Sequence, residues 1–204
     1  MSRDEPGLRE IRRMKTQRAI QEHAMRLFTE RGYDATTVAD IAAAAEVSSM
    51  TVFRHFPTKE DLVMADEYDP VIIDAIRARP ADEPLLRRIG AALVETTADH
   101  DVADRAILLA RLRLGLSVPA LRERMWDGQY RSQCRIVEAL RGESPDPDVE
   151  FELWVATGAC LAAVSAALIR WAEHDGEEDL PGLMTTALDL LTATPPSGIT
   201  RRQP

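Results

Sequence analysis

The stretch from Thr36 to Leu62, TTVADIAAAAEVSSMTVFRHFPTKEDL, constrains the fold of this chain more than any other. Thr37 stands three residues before Asp40, ahead of an apolar pattern, which is the signature of a capping box. Val38, Ile41, Ala42 and Ala45 then recur at helical spacing and supply an inner face, and the alanine run lets a neighbouring helix come close. Glu46 occupies a turn, Val47 plugs the angle behind it, and Ser48 caps a second short helix that runs to about Phe56, where Pro57 stops it. The pattern predicts two short helices around a tight turn, followed by a third cap at Thr58 with Asp61 three residues on.

A helix of this kind is built to meet something. Val47, Val52 and Phe56 form its apolar underside, leaving Ser49, Met50, Thr51, Phe53 and Arg54 outward or at the rim. A helix-turn-helix lays its second helix in the DNA major groove, which demands a firm underside and short exposed residues near the helix start. The backbone N–H groups after Thr37 offer a phosphate site at the start of the first helix. His55 and Lys59 add phosphate donors from the flank.

The rest of the chain reads as helix throughout. Ile20, Ala24, Leu27 and Phe28 mark one face of a first helix that Gly32 ends as a left-handed cap. A helix from Thr58 to about Arg79 is expected to kink or break at Asp69-Pro70. Further helices are expected from near Asp82, from Val102 to a stop at Gly115, from Ser117 to Arg141, from Asp146-Pro147 to about Trp171, and from Asp179 to Leu191. No β pattern and no internal repeat is present. The expected fold is all-α with about nine helices: an N-terminal three-helix helix-turn-helix domain over residues 10–57, and a C-terminal helical effector-binding and dimerisation domain over 58–193. Residues 1–9 and 194–204 are expected to be disordered.

Charge supports that division. The net charge of −9 speaks against a nucleic-acid partner until its distribution is considered. Residues 1–60 hold 10 Lys+Arg and 9 Asp+Glu, whereas the remainder holds 15 and 25, so the acidity lies in the body and not the head. Cys134 and Cys160 are too few for a disulfide framework and read as reduced core residues of a cytoplasmic protein. No apolar run reaches about 18 residues and no signal peptide is evident, so no membrane partner is expected. His23, His55, His100 and His174 are scattered without metal-ligand spacing, and Asp99, His100, Asp101 and Asp104 sit where polar loop residues are expected. No catalytic residue, metal or cofactor is expected.

The succession LFTERGY, TTVADIAAAAEVS and TVFRHFPTKEDL resembles the N-terminal domain of the TetR family of bacterial repressors over residues 14–63. FRHFPTKED and RARPADEP resemble an actinobacterial group that includes mycofactocin-type regulators. The resemblance implies phosphate contacts at Thr37, Thr51, His55 and Lys59, and places Val38, Ser49, Met50, Phe53 and Arg54 nearest base edges, with Ser48 completing the DNA-binding set. Glu46 replaces the turn glycine common in the family, and Phe53 replaces a tyrosine. Arg54 is left as the best candidate for a base-specific hydrogen bond.

The body of such a regulator joins two heads about 34 to 36 Å apart and changes that spacing when a ligand binds. Phe151, Trp154, Ala159, Ala163 and Ala167 are candidates for a homodimer seam, which the resemblance implies is a four-helix interface. Arg111, Met125, Trp126, Tyr130, Cys134 and Trp154 are candidates for an effector pocket, although a Met/Trp/Tyr stripe at helical spacing also suits an ordinary core. The expected function is a ligand-responsive repressor, released from a palindromic double-stranded DNA operator by a small apolar or acyl-type effector such as an acyl-CoA. The alternatives are a small-molecule-binding helical protein with a degenerate head, and an enzyme.

Overall fold

The computed structural model describes residues 8–64, 69–142 and 146–193. The ends 1–7 and 194–204 lie outside these, so the expected disorder there concerns residues beyond the description. The described residues are all helical or loop: α1 (Leu8–Arg31), α2 (Val38–Ala44), α3 (Ser49–His55), a single 3-10 turn (Glu60–Leu62), α4 (Asp69–Ala78), α5 (Leu85–Ala98), α6 (Val102–Ser117), α7 (Pro119–Leu140), α8 (Pro147–Glu173) and α9 (Leu180–Thr192).

Two compact units are discontinuous in sequence, whereas charge and motif suggested one cut near residue 57. Residues 1–66 group with 102–128, and residues 67–101 group with 129–204. The physical reason lies in the core of the first unit. Ile20, Ala24, Leu27, Phe28, Ile41, Val52, Phe56 and Leu62 are buried together with Leu121 at the start of α7, and Ile107, Ala110 and Leu114 of α6 pack against them. Gly32 ends α1 at φ +87°, with its N–H bonded to the Phe28 carbonyl at 3.0 Å. Buried Thr36 then donates its hydroxyl to the Gly32 and Leu27 carbonyls at 2.9 and 3.2 Å, pinning the entry to α2.

Three expected boundaries are corrected. The helix from Thr58 does not form: Thr58 and Asp61 exchange cap hydrogen bonds at 2.9 and 3.3 Å, but around only one 3-10 turn. A separate helix starts at Asp69 because Pro70 is tolerated in a first turn and not in a helix interior. Likewise α5 starts at Leu85 and not near Asp82, with Pro84 in the cap position. Gly115 does not end α6. It lies within the helix, where any Cβ would overlap the Met125 sulfur of α7, so its role is close approach.

In the second unit α8 packs chiefly against α9 and α5, and α4 against α5. Asp146 caps α8 by accepting from the Asp148 N–H at 2.9 Å, with Pro147 in the first turn. Leu153, Ala156, Cys160, Val164, Ala167 and Trp171 form its inward face. Among the described residues α8 is the one helix long and apolar enough to cross a membrane by length and composition. No unbroken apolar run marks it in the sequence, because its uncharged middle, Leu153 to Ile169, contains Thr157, Gly158 and Ser165. At the start of α4, buried Asp69 accepts from the Ser132 hydroxyl at 2.8 Å and the Arg135 guanidinium at 3.0 Å, tying α4 to α7.

Candidate nucleic-acid interface

The two short helices of the head are fixed by their caps. Thr37 accepts from the Asp40 N–H at 3.1 Å, while the Thr37 N–H donates to the Asp40 carboxylate at 2.9 Å. The Thr37 hydroxyl first and the Thr37 N–H second, both donating to the carboxylate, hold the Asp40 carboxyl below its ordinary range. Glu46, which stands in place of a turn glycine, carries the turn at φ +53°, a left-handed conformation that glycine adopts without strain. Ser48 then accepts from the Thr51 N–H at 3.1 Å and opens α3.

Within α3, Val52 is buried and Phe56, which caps the helix, is buried beneath it. With about 3.6 residues per turn, Arg54 projects from the side opposite this underside. Met50 is 75% exposed and Phe53 47% exposed beside it. An exposed methionine and phenylalanine on a firmly seated helix offer apolar contact and little hydrogen bonding. Ser49 and Thr51 are half-buried at the rim, Ser48 is exposed, and Val38 of α2 is half-buried.

Two expected phosphate donors are engaged within the head, Thr37 at the surface and Lys59 turned inward. The Thr37 hydroxyl donates to Asp40, and the Lys59 ammonium donates to the Tyr33 carbonyl. Lys59 also lies 4.1 Å from the Tyr33 ring centroid and 5.6 Å from that of Phe28, a cation–π seat. Burial first, then the Glu60 carboxylate that accepts the Tyr33 hydroxyl at 3.1 Å, pushes the Tyr33 phenol above its ordinary value. No local pattern signals this inward seat, because it joins residues 26 apart.

A feature missed from the sequence lies beside α3. A groove of about 840 Å³ is lined by Arg12, Arg13 and Thr16 of α1 together with Val47, Thr51, Arg54 and His55. Partial burial, then Arg54 and Arg13, hold the His55 imidazole below its ordinary value of 6.5. Arg12 and Arg13 precede α3 by more than thirty residues, and only their place beside it in the folded chain reveals them.

The other expected site residues divide between the units. Arg111, Met125 and Trp126 fall in the first, and Tyr130, Cys134 and Trp154 in the second. Tyr130 stacks on Trp154 with ring centroids 6.2 Å apart, and a hydrogen bond with Cys134 raises the Tyr130 phenol. Cys160 is buried, with its thiol pushed up to about 11 by that burial and donating to the Leu86 carbonyl at 3.3 Å. A cavity of about 590 Å³ in the second unit lies elsewhere, between α5 and α9, where Leu86, Gly90, Val94 and Leu188 make its apolar wall. Of the α8 residues expected at a seam, Ala167 is only 4% exposed, Ala159 and Ala163 are half-buried, and Phe151 is 69% exposed, with Val155 beside it 54% exposed.

Comparison with known proteins bears on this arrangement. Residues 20–65 match the family described as bacterial regulatory proteins, tetR family, and residues 83–196 match the MftR C-terminal domain. HTH-type transcriptional regulator TcmR of Streptomyces glaucescens is 33% identical over 172 residues, covering 78% of this chain and 75% of that protein. Two solved structures share the fold. Thermus thermophilus FadR, a TetR family transcriptional repressor in complex with lauroyl-CoA, has a TM-score of 0.53 at 24% identity over 89% of this chain and 99% of that one. The SmeT–triclosan complex has a TM-score of 0.58 at 19% identity over 93% and 99%. TcmR is a transcriptional regulator and FadR a transcriptional repressor. With a helix-turn-helix head matched by one family, more than half of the chain matched by another, and a regulator aligned along three quarters of its length, the chain belongs to the TetR family of bacterial transcriptional regulators.

Proposed function

We propose that this regulator is a homodimeric repressor that reads a palindromic operator through α3 and leaves it when a small apolar or acyl-type effector binds the C-terminal body. The observation that carries the reading is the outer face of α3: Met50, Phe53 and Arg54 stand exposed on an underside of Val52 and Phe56 too firmly packed to shift. Arg54 reads a base edge, Met50 and Val38 make methyl contacts, Ser48, Ser49, Thr51 and His55 position the backbone, and DNA shape supplies the rest of the specificity. Thr37 and Lys59 take part through the fold they hold in place and, once released from Asp40 and Tyr33, as phosphate donors. The head corresponds to residues 10–57 and the effector-binding and dimerisation part to 58–193.

The exposed apolar residues Phe151 and Val155 of α8 and Leu190 and Leu191 of α9 support a pairing of two helices from each subunit, with Trp154, Ala159 and Ala163 at its margin. The Tyr130–Trp154 stack beside Cys134 supports an apolar effector, as do the lauroyl-CoA and triclosan held by FadR and SmeT. A regulator of this kind works in the cytoplasm.

A selection from fragmented genomic DNA with the purified full chain tests the reading. Enrichment of an inverted repeat, protected in a footprint and weakened by rising salt, is the expected result. If no duplex outcompetes random DNA, the chain is instead a small-molecule-binding protein with a degenerate head, a second reading to which Glu46 and Phe53 give some support.

A further inference from the structure

We propose that the groove between the start of α1 and α3 seats a phosphodiester backbone, so that Arg12 and Arg13 contact DNA together with the helix-turn-helix. The inference rests on the DNA-binding reading of α3 and extends the interface to a helix outside the motif. Three guanidinium groups and one imidazole line the groove, and among the described residues no carboxylate does. That is a sharp local excess of positive charge in a chain whose net charge is −9. Arg12, Arg13 and Arg54 are exposed, so their guanidinium groups reach a ligand without first leaving a buried partner.

The geometry of α3 decides which ligand fits. Thr51 and His55 share the flank that faces α1, whereas Ser49 and Phe53 lie on the opposite flank. The helix therefore has one cationic side and one neutral side about a reading face at Met50 and Arg54. A helix in the major groove runs between two sugar-phosphate strands, and a planar guanidinium matches a phosphate bidentately. The cationic side meets one of those strands. An open groove of about 840 Å³ suits a run of backbone and not a single small anion.

The test compares the full chain with the Arg12→Ala/Arg13→Ala double variant, by fluorescence anisotropy over a salt series. The probes are the duplex enriched by selection and a random duplex of equal length. Affinity is expected to fall by a similar factor on both, about tenfold or more. The log–log salt dependence should become shallower by about 0.9 for each phosphate that the variant no longer neutralises. The Arg12→Lys/Arg13→Lys variant should recover much of the loss, and an unchanged melting curve shows that the head still folds. Unchanged affinity and slope in the double variant, with Arg54→Ala still weakening the selected duplex, overturns the groove and leaves the reading of α3 standing. Loss confined to the selected duplex overturns it too, since that behaviour belongs to base readers. A wild-type chain that binds neither duplex removes the DNA reading and the groove with it.

Discussion

Glu46 holds its backbone at φ +53°, where a residue with a Cβ is strained and glycine is not. Glu46→Gly should therefore stabilise the folded chain, by about 0.5 to 1 kcal/mol after allowance for the extra freedom of glycine when unfolded. Denaturant midpoints of the two proteins check this, and a variant less stable than wild type would mean that the Glu46 side chain makes a compensating contact. His55 behaves differently, because burial, then Arg54 and Arg13, depress its pKa below 6.5. The unfolded chain binds a proton there that the folded chain resists, so stability rises with pH through the window below 6.5 and is lost as pH falls. Melting temperatures of wild type and His55→Gln should converge above pH about 7.5, and wild type should lose more on acidification. Parallel melting profiles at every pH would show that His55 does not titrate against the fold.

At the scale of elements, much was legible where a local cap or a local period decides structure. The Thr37–Asp40 box, the Gly32 stop and the Asp146-Pro147 start are all formed by residues within four positions of one another. What could not be read depends on partners far along the chain. Gly115 has the local look of a stop, yet it lies inside α6 because the Met125 side chain of α7 needs its surface. Gly115→Ala should bring no stabilisation and cost up to about 1 kcal/mol, even though alanine is the better helix former, because the half-buried Met125 side chain must move aside. A double-mutant cycle with Met125→Ala measures the contact. If Gly115→Ala costs as much in the shortened background as in wild type, the close approach is not the cause. The site divides the same way: the underside and outer face of α3 follow from its period, while the inward seat of Lys59 needed the end of α1 against the 3-10 turn and the arginine groove needed the start of α1 to line one groove with α3.

Across the whole molecule, the alanine pattern of α8 announced a packing helix but not which side packs within the chain. Ala156 and Ala167 are committed to the core of their own unit, while Phe151 and Val155 stand outside it. Val155→Glu should then leave the fold intact and shift the chain to a monomer in sedimentation equilibrium, with operator affinity falling steeply. Ala167→Glu should unfold the second unit, since an unpaired buried carboxylate costs several kcal/mol. A dimer that survives Val155→Glu would move the seam elsewhere.

The outward apolar face of α8 also has a consequence for supply. A regulator that grips a two-fold site only as a pair, as proposed for this chain, has a concentration of active dimers that follows the square of its monomer concentration at low abundance. Halving the copies per cell then leaves about a quarter of the pairs. The steepness of its response to gene dosage would then be set by one helix surface that reads no sequence.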